Sequence, residues 1–237
     1  MKLVIPMAGR GKRFLDAGEK RPKMLIPVSN KLMIEWALEG LKFIPKEDWI
    51  FVILQEHVEK WRLDEVLLDH FGNVMIEALP DVTEGQACTV AAARKHYSSN
   101  DPLVIHNTDT YFSSSTIEDN LGLLGTEVDG VIGVFQSDCP SYSFVQLNEE
   151  NYVTKVVEKE AISQWATTGL YAFGKAGDFL DAVEDSMKNK KKVRGEYFVG
   201  PLYNHLIEND ARIIIDKCSE IYDFGKPEKL KDFEKAI

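Results

Sequence analysis

The sequence predicts an α/β protein, a single domain over residues 1–237 built on a mixed, mostly parallel sheet flanked by helices. Three observations predict it. Short apolar runs alternate with amphipathic stretches through the first half, a βαβ succession that implies a parallel sheet. The first run, Lys2–Pro6, passes directly into a glycine-rich loop, Met7-Ala-Gly-Arg-Gly-Lys-Arg-Phe14, which puts that loop at the carboxyl end of a buried strand. In the second half, two strand-like runs flank a polar turn and read as a hairpin, which adds antiparallel strands.

The elements follow in order. Leu32 to Phe43 carries apolar residues at helical spacing, and Trp49–Leu54 reads as a buried strand. Glu56 to His70 is a charged amphipathic helix, and Val74–Ile76 a short strand. Gly85 to His96 is a helix with a small-residue face, with Thr83 placed to cap it. Leu103–His106 is a strand ending in Asn107-Thr-Asp-Thr110. Gly130–Phe135 is a central strand. Ser143–Leu147 and Tyr152–Val157 form the hairpin around Asn148–Asn151, and Thr167–Phe173 is a further strand. Helices are expected at Gly177–Lys190, Pro201–Glu208 and Pro227–Lys235, and the last strands at Ile213–Ile215 and Ile221–Asp223. No repeat, low-complexity tract or linker interrupts the chain. The expected division is into two halves, one to about residue 125 and one over 126–237.

Composition excludes several classes of function. A hydrophobic fraction of 44% with 28% charged residues is that of an ordinary globular chain. The net charge of −10 argues against a nucleic-acid partner, which needs a basic face. Cys88, Cys139 and Cys218 are odd in number and lack C-x-x-C spacing, so neither a disulfide framework nor a thiolate zinc site is expected. The five histidines form no sequence cluster. No apolar stretch approaches roughly 18 residues, so no membrane span is expected. No signal peptide precedes Lys2, and the expected location is cytoplasmic. Oligomeric state stays open, with room for a homo-oligomer.

Cations concentrated in one loop of an acidic chain point to a small anionic ligand. Gly9 and Gly11 let backbone N–H groups approach a phosphate. Arg10, Lys12, Arg13 and Lys23 can place up to four positive charges around it. The loop lacks the third glycine of a dinucleotide-binding G-x-G-x-x-G, and no G-K-[ST] makes it a Walker A loop.

The ordered set Gly9-Arg-Gly-Lys-Arg13 followed by Pro22-Lys23 resembles the signature of the sugar-phosphate nucleotidyltransferases, or nucleotide-sugar pyrophosphorylases. Lys12 stands where that family has Thr or Ser, and Pro6-Met7 where it has small residues. The resemblance implies a nucleotide-diphospho-sugar transferase fold, which is Rossmann-like. It also implies a nucleotide site at Met7, Ala8, Gly9, Gly11 and Arg13, and catalytic roles for Arg13, Lys23 and Asp109. Gly85 and Gln86 resemble the segment that reads the base. Asp109 corresponds to a G-D pair, with Thr108 for the glycine. Tyr222-Asp-Phe-Gly225 resembles a late pattern whose aspartate is the second metal ligand. The implied cofactor is Mg²⁺ on Asp109 and Asp223. Val156-Val-Glu-Lys159, Thr167-Thr-Gly169 and Ser143 resemble the acceptor site, giving Ser143, Glu158, Lys159, Thr168 and Gly169 as acceptor-binding residues. Glu160 replaces a family proline, Ser143 a family glycine, and Gly200-Pro201 a Thr-Asp pair.

The implied reaction joins an NTP to a phosphorylated sugar or similar phosphorylated acceptor, giving a nucleotide-diphospho-sugar and pyrophosphate. Two other readings stay open. A glycosyltransferase would take a nucleotide sugar as donor, and would carry an Asp-x-Asp motif where Thr108-Asp109-Thr110 has one carboxylate. A non-catalytic nucleotide-sensing subunit could lose the metal carboxylates, and this chain keeps both.

Overall fold

Lys2–Pro6 forms β1, whose central residues Leu3, Val4 and Ile5 are wholly buried. Leu3 and Ile5 face one hydrophobic cluster and Val4 the other, the two-fold alternation of a strand covered on both faces. The computed structural model describes residues 1–236. In chain order the helices are α1 Lys12–Asp16, α2 Met33–Ala37, α3 Gln55–Trp61, α4 Leu63–Phe71, α5 Gln86–Ala92, α6 Ile117–Gly122, α7 Ala176–Lys188, α8 Tyr203–Ile207 and α9 Pro227–Ala236. The remaining strands are β2 Pro27–Val28, β3 Lys31–Leu32, β4 Trp49–Leu54, β5 Met75–Leu79, β6 Leu103–His106, β7 Thr110–Ser113, β8 Gly130–Gln136, β9 Ser143–Leu147, β10 Val153–Glu158, β11 Trp165–Phe173, β12 Ile213–Lys217 and β13 Glu220–Asp223.

The main sheet has nine strands. β5, β4, β1 and β6 run parallel to one another, as the alternation predicts. β11 then pairs antiparallel with β6, β8 antiparallel with β11, and β12 parallel with β8. The hairpin β9–β10 joins at the start of β11, through Trp165 and Ala166. The mixed, mostly parallel sheet flanked by helices is therefore as expected. A second, two-stranded sheet pairs β7 with β13 and matches Thr110 to Asp223. A third hydrophobic cluster joins Phe14 of α1, Val28 of β2, Met33 of α2, Phe224, and Leu230 and Phe233 of α9. It packs the end of the chain against the segments that follow the first loop.

Several boundaries differ from the sequence reading. The helix expected over 32–43 is only α2 followed by a 3-10 turn at Glu39–Leu41. Gly40 lies so close to β7 that a Cβ there would meet the Phe112 carbonyl at 3.0 Å. The helix expected over 56–70 breaks at Arg62, which takes a left-handed conformation with φ of 49° and lets Leu63 and Leu67 turn into the core. Thr83 does not cap α5. Its hydroxyl donates to the Gly85 carbonyl, and Gly85 itself precedes the helix. The hairpin β2–β3, helix α6 and strand β7 carry no periodic signal long enough to read, and the sequence reading lacked them.

Two glycines are required by their surroundings. Gly85 has φ of 139°, and a Cβ there would lie 2.5 Å from the backbone of Tyr197. Gly169 has φ of 87° and sits in a register shift of β11, between Thr167 and Tyr171. A Cβ at Gly169 would lie 2.1 Å from Asn107 Nδ2. The bulge thus brings β11 backbone against the end of β6. Gly169→Ala should lower stability by about 1–3 kcal/mol, the scale of a left-handed non-glycine plus a displaced neighbour. Urea denaturation checks this, and an unchanged midpoint would show that the bulge tolerates a side chain.

His106 ends β6, is wholly buried, and pairs through Nε2 with the Thr110 carbonyl at 3.0 Å. Burial holds its pKa down at about 4, below the ordinary 6.5. Burial also lowers His57. Between pH 6.5 and 4 the unfolded chain binds a proton at His106 that the folded chain refuses, so stability falls as pH falls through that window. The full His106 contribution is about 3 kcal/mol. Urea midpoints should drop from pH 7 to pH 5, above the range of most carboxylates. His106→Gln should flatten the profile, and an equally steep profile in that variant would place the loss elsewhere.

Candidate active site

A cleft of about 270 Å³ opens where the two halves of the sequence meet. Arg13, Gln86, Asn107 and Asp109 line it from the first half. Tyr142, Ser143, Glu158, Lys159, Thr168, Gly169, Asp223, Lys226 and Lys229 line it from the second. All five expected acceptor residues and both expected metal carboxylates border this one space.

The loop cations divide into two groups. Arg10 bonds Glu56 and Asp81, both at 2.9 Å, and Lys12 bonds Asp16 within its own helix. These two are therefore committed elsewhere, contrary to the expectation of four cations around one anion. Arg13 and Lys23 do converge on the cleft. Lys23 Nζ donates to Asp109 Oδ2 at 2.8 Å, with both side chains about one-fifth exposed. Gly11 has φ of 64°, and a Cβ there would touch the Lys23 stem at 3.4 Å. Arg13 Nη1 reaches toward the Gly225 carbonyl at 3.4 Å. Among the backbone positions, Met7 gives its amide to the Val52 carbonyl and buries its side chain in the core. Ala8 is buried, whereas Gly9 is exposed with open space on its side-chain face.

Asp109 and Asp223 meet because β7 pairs with β13 and the Phe224 amide donates to the Asp109 carbonyl at 2.7 Å. A Cβ added to Gly225 would lie 2.8 Å from Asp223 Oδ1, 3.6 Å from Asp109 Oδ2 and 3.7 Å from Arg13 Nη1. One point is thus flanked by two carboxylates and a guanidinium, and glycine keeps it open. Asp223 accepts from Tyr142 OH at 2.9 Å, from Lys229 Nζ, and from the Gly225 amide at 2.7 Å. Burial pushes its pKa up, but the hydrogen bond from Lys229 leads a set that holds it below the ordinary carboxylate value. Burial likewise opposes the charge on Lys229, and its bonds to Asp223 and Tyr142 override that and raise its pKa.

The other end of the cleft is a chain of hydroxyls ending on a buried carboxylate. Thr167 Oγ1 lies 2.9 Å from Tyr171 OH, and Tyr171 OH donates to Ser143 Oγ at 3.5 Å. Ser143 Oγ donates in turn to Glu158. Burial, then Glu158, pushes the Tyr171 phenol up to about 12, so it stays a donor. Lys159 takes a left-handed φ of 59°, brings Nζ within 3.5 Å of Glu158, and lies 4.1 Å from the Phe198 ring centre. Thr168 Oγ1 accepts the Leu170 amide inside the bulge. Gln86 Nε2 bonds Asn107 Oδ1 beneath.

Sequence reasoning missed Asn107, Tyr142, Phe198, Lys226 and Lys229. Tyr142 adjoins Ser143, and Asn107 adjoins Thr108 and Asp109, which it had singled out. Lys229 carried no signal, because its pairing depends on how α9 docks. Among the described residues no group of three His, Cys, Asp or Glu side chains could hold a metal by itself.

The sequence matches the nucleotidyl transferase family over residues 2–236. A bifunctional sugar-1-phosphate nucleotidylyltransferase/acetyltransferase of Sulfurisphaera tokodaii is 25% identical over 99% of this chain and 55% of its own length. A bifunctional protein GlmU of Methanococcus vannielii is 28% identical over 96% of this chain and 52% of its own. The chain spans about half the length of these curated relatives. Among solved structures, a nucleoside-diphosphate-sugar pyrophosphorylase of Vibrio cholerae superposes with a TM-score of 0.85 at 26% identity, covering 98% of this chain and 99% of that one. The inositol-1-phosphate CTP transferase of T. maritima shares the fold, with a TM-score of 0.78 at 16% identity over 99% and 93%. With the cations Arg13 and Lys23 beside paired carboxylates at one cleft, and a family match over nearly its whole length, the chain belongs to the nucleotidyl transferase family.

Proposed function

We propose that the protein transfers a nucleotidyl group from an NTP to a phosphorylated sugar or a similar phosphorylated acceptor, releasing pyrophosphate. The observation that carries this reading is the convergence of Arg13, Asp109 and Asp223 on the point above Gly225, with Lys23 tied to Asp109 beside it. The names of the relatives support it, since a sugar-1-phosphate nucleotidylyltransferase and a nucleoside-diphosphate-sugar pyrophosphorylase are among them. The three cysteines are free thiols, which suits a reducing, cytoplasmic setting.

The attacking group is an ionised phosphate oxygen of the acceptor, so no general base is required. A bond forms from that oxygen to the α-phosphorus, and the bond from the α-phosphorus to the bridging β-oxygen breaks. The electron pair leaves with pyrophosphate. The difficulty is repulsion between anions and the need for an in-line approach. Arg13 offsets charge on the leaving pyrophosphate. Lys23 moves from Asp109 to the phosphates between which transfer occurs. Glu158 and the hydroxyls of Ser143 and Tyr171 hold the acceptor's polar body, and Lys159 faces its phosphate. The residues also fit a magnesium ion. Asp109 and Asp223 offer oxygens to one open point, and magnesium is commonly held by one or two carboxylates plus substrate phosphates and water. When bound, the ion offsets negative charge around the α-phosphate.

Pyrophosphate release across a grid of NTPs and phosphorylated sugars and polyols tests the reading. A glycosyltransferase or a non-catalytic sensor would release none under any combination. Lys23→Ala should lower turnover by about 10²–10³, the usual loss for one group stabilising transition-state charge. Its urea midpoint should change little beyond the loss of one partly buried ion pair, and full activity in the folded variant would remove Lys23 from the mechanism.

Glu158→Gln should raise KM for the phosphorylated acceptor and leave KM for the NTP nearly unchanged. A carboxylate accepts strong hydrogen bonds from vicinal hydroxyls, and the amide keeps part of that capacity. The expected loss is about 1–3 kcal/mol. Steady-state kinetics with each substrate varied in turn decides it, and a loss of NTP affinity alone would place Glu158 on the wrong substrate.

A further inference from the structure

Asp223 is held unevenly through its two oxygens. Its Oδ2 accepts from both Tyr142 OH and Lys229 Nζ. Its Oδ1 accepts a single bond, from the Gly225 amide, and lies, with Asp109 Oδ2, beside the space that a side chain at Gly225 would fill. An ionised carboxylate has about four lone-pair sites. Two on Oδ2 and one on Oδ1 are used, which leaves one more position, on Oδ1.

The two donors on Oδ2 are themselves anchored. Lys229 Nζ also donates to Tyr142 OH at 3.0 Å, so the three groups form a closed triangle. Lys229 lies in the first turn of α9, which Leu230 and Phe233 bury in the third hydrophobic cluster. The Tyr142 ring packs edge-on against Phe135 with centroids 5.1 Å apart, and its carbonyl accepts the Lys159 amide at 2.9 Å.

We propose that Tyr142 and Lys229 are positioning residues that restrict Asp223 to one-oxygen coordination through Oδ1, and so bias the cleft toward magnesium over calcium. The inference rests on the magnesium reading given above. Magnesium is small, takes near-octahedral geometry and accepts single carboxylate oxygens. Calcium takes six to eight oxygens and commonly uses both oxygens of a carboxylate. With Oδ2 occupied, Asp223 cannot offer the second oxygen.

The test uses metal ions alone on the full chain. Mn²⁺ binding is followed by water-proton relaxation, and Mg²⁺ and Ca²⁺ are titrated in as competitors. In the wild type, Mg²⁺ should displace Mn²⁺ more effectively than Ca²⁺ does. Lys229→Met frees Oδ2 and should raise Ca²⁺ affinity relative to Mg²⁺ by about tenfold, the scale of one hydrogen bond to a charged group. Tyr142→Phe removes the other donor without changing charge, and should shift the ratio the same way by a smaller factor. It also carries the test if Lys229→Met does not fold. A wild type without preference, or a ratio unchanged in both variants, would overturn the proposal. That includes the case where all three ions simply bind tighter to Lys229→Met, since removed charge alone does that. Asp223→Asn separates the two levels of inference. If it binds Mn²⁺ as the wild type does, the magnesium reading fails. If it loses Mn²⁺ while the ratio stays constant in the other variants, only the one-oxygen restriction fails.

Discussion

The short antiparallel ladder between β7 and β13 is what the cleft depends on. Each strand has four residues, and the pair stands outside the main sheet. Its register sets Asp223 opposite Thr110, next to Asp109, although the two carboxylates come from distant parts of the chain. A slip of one residue would turn every side chain of β13 to the other face. The register is held by the Phe224 amide on the Asp109 carbonyl, and by Phe224 and Phe233 in the third hydrophobic cluster. Burial of the last helix is thus coupled to the geometry of the pair of acids beside it.

Charge in the cleft is arranged as exchangeable pairs. The chain carries a net −10, yet Arg13, Lys23, Lys159, Lys226 and Lys229 gather around one cavity or its carboxylates. Lys23 pairs with Asp109 and Lys229 with Asp223, while Lys159 stands beside Glu158. An isolated charge at such partly buried positions would be costly, and pairing offsets that cost before any ligand arrives.

The bulge in β11 joins the two ends of the cleft. Gly169 lets the strand approach Asn107, which bonds Gln86 at the start of α5. On the other side of the bulge, Thr167 and Tyr171 begin the hydroxyl chain that ends at Glu158. One irregular strand therefore touches both the first-half and second-half residues of the cavity. A regular strand would bury Tyr171 and Thr167 at ordinary spacing, and would leave no room for the Asn107 side chain.

Local and short-range signals were sufficient for much of this protein. The alternation of buried strands and helices determined the parallel half of the sheet, because period and burial are properties of each segment alone. The glycine-rich loop and its cations were legible from their residue types, whereas Asp109, Asp223 and Glu158 were marked only by the resemblance of their segments, in order, to those of a known family. Tertiary structure decided the rest. By charge alone Arg10 and Lys12 look equivalent to Arg13, and the positions of Glu56, Asp81 and Asp16 withdraw them from the cleft. The helices expected over 32–43 and 56–70 break where neighbouring elements come close or where leucines must turn inward, which no local propensity records. Tyr142 and Lys229 became site residues only when β13 paired with β7 and α9 packed over the third cluster. Hydrogen bonds between residues far apart in sequence depend on how the elements dock, and docking is set by the burial of whole faces.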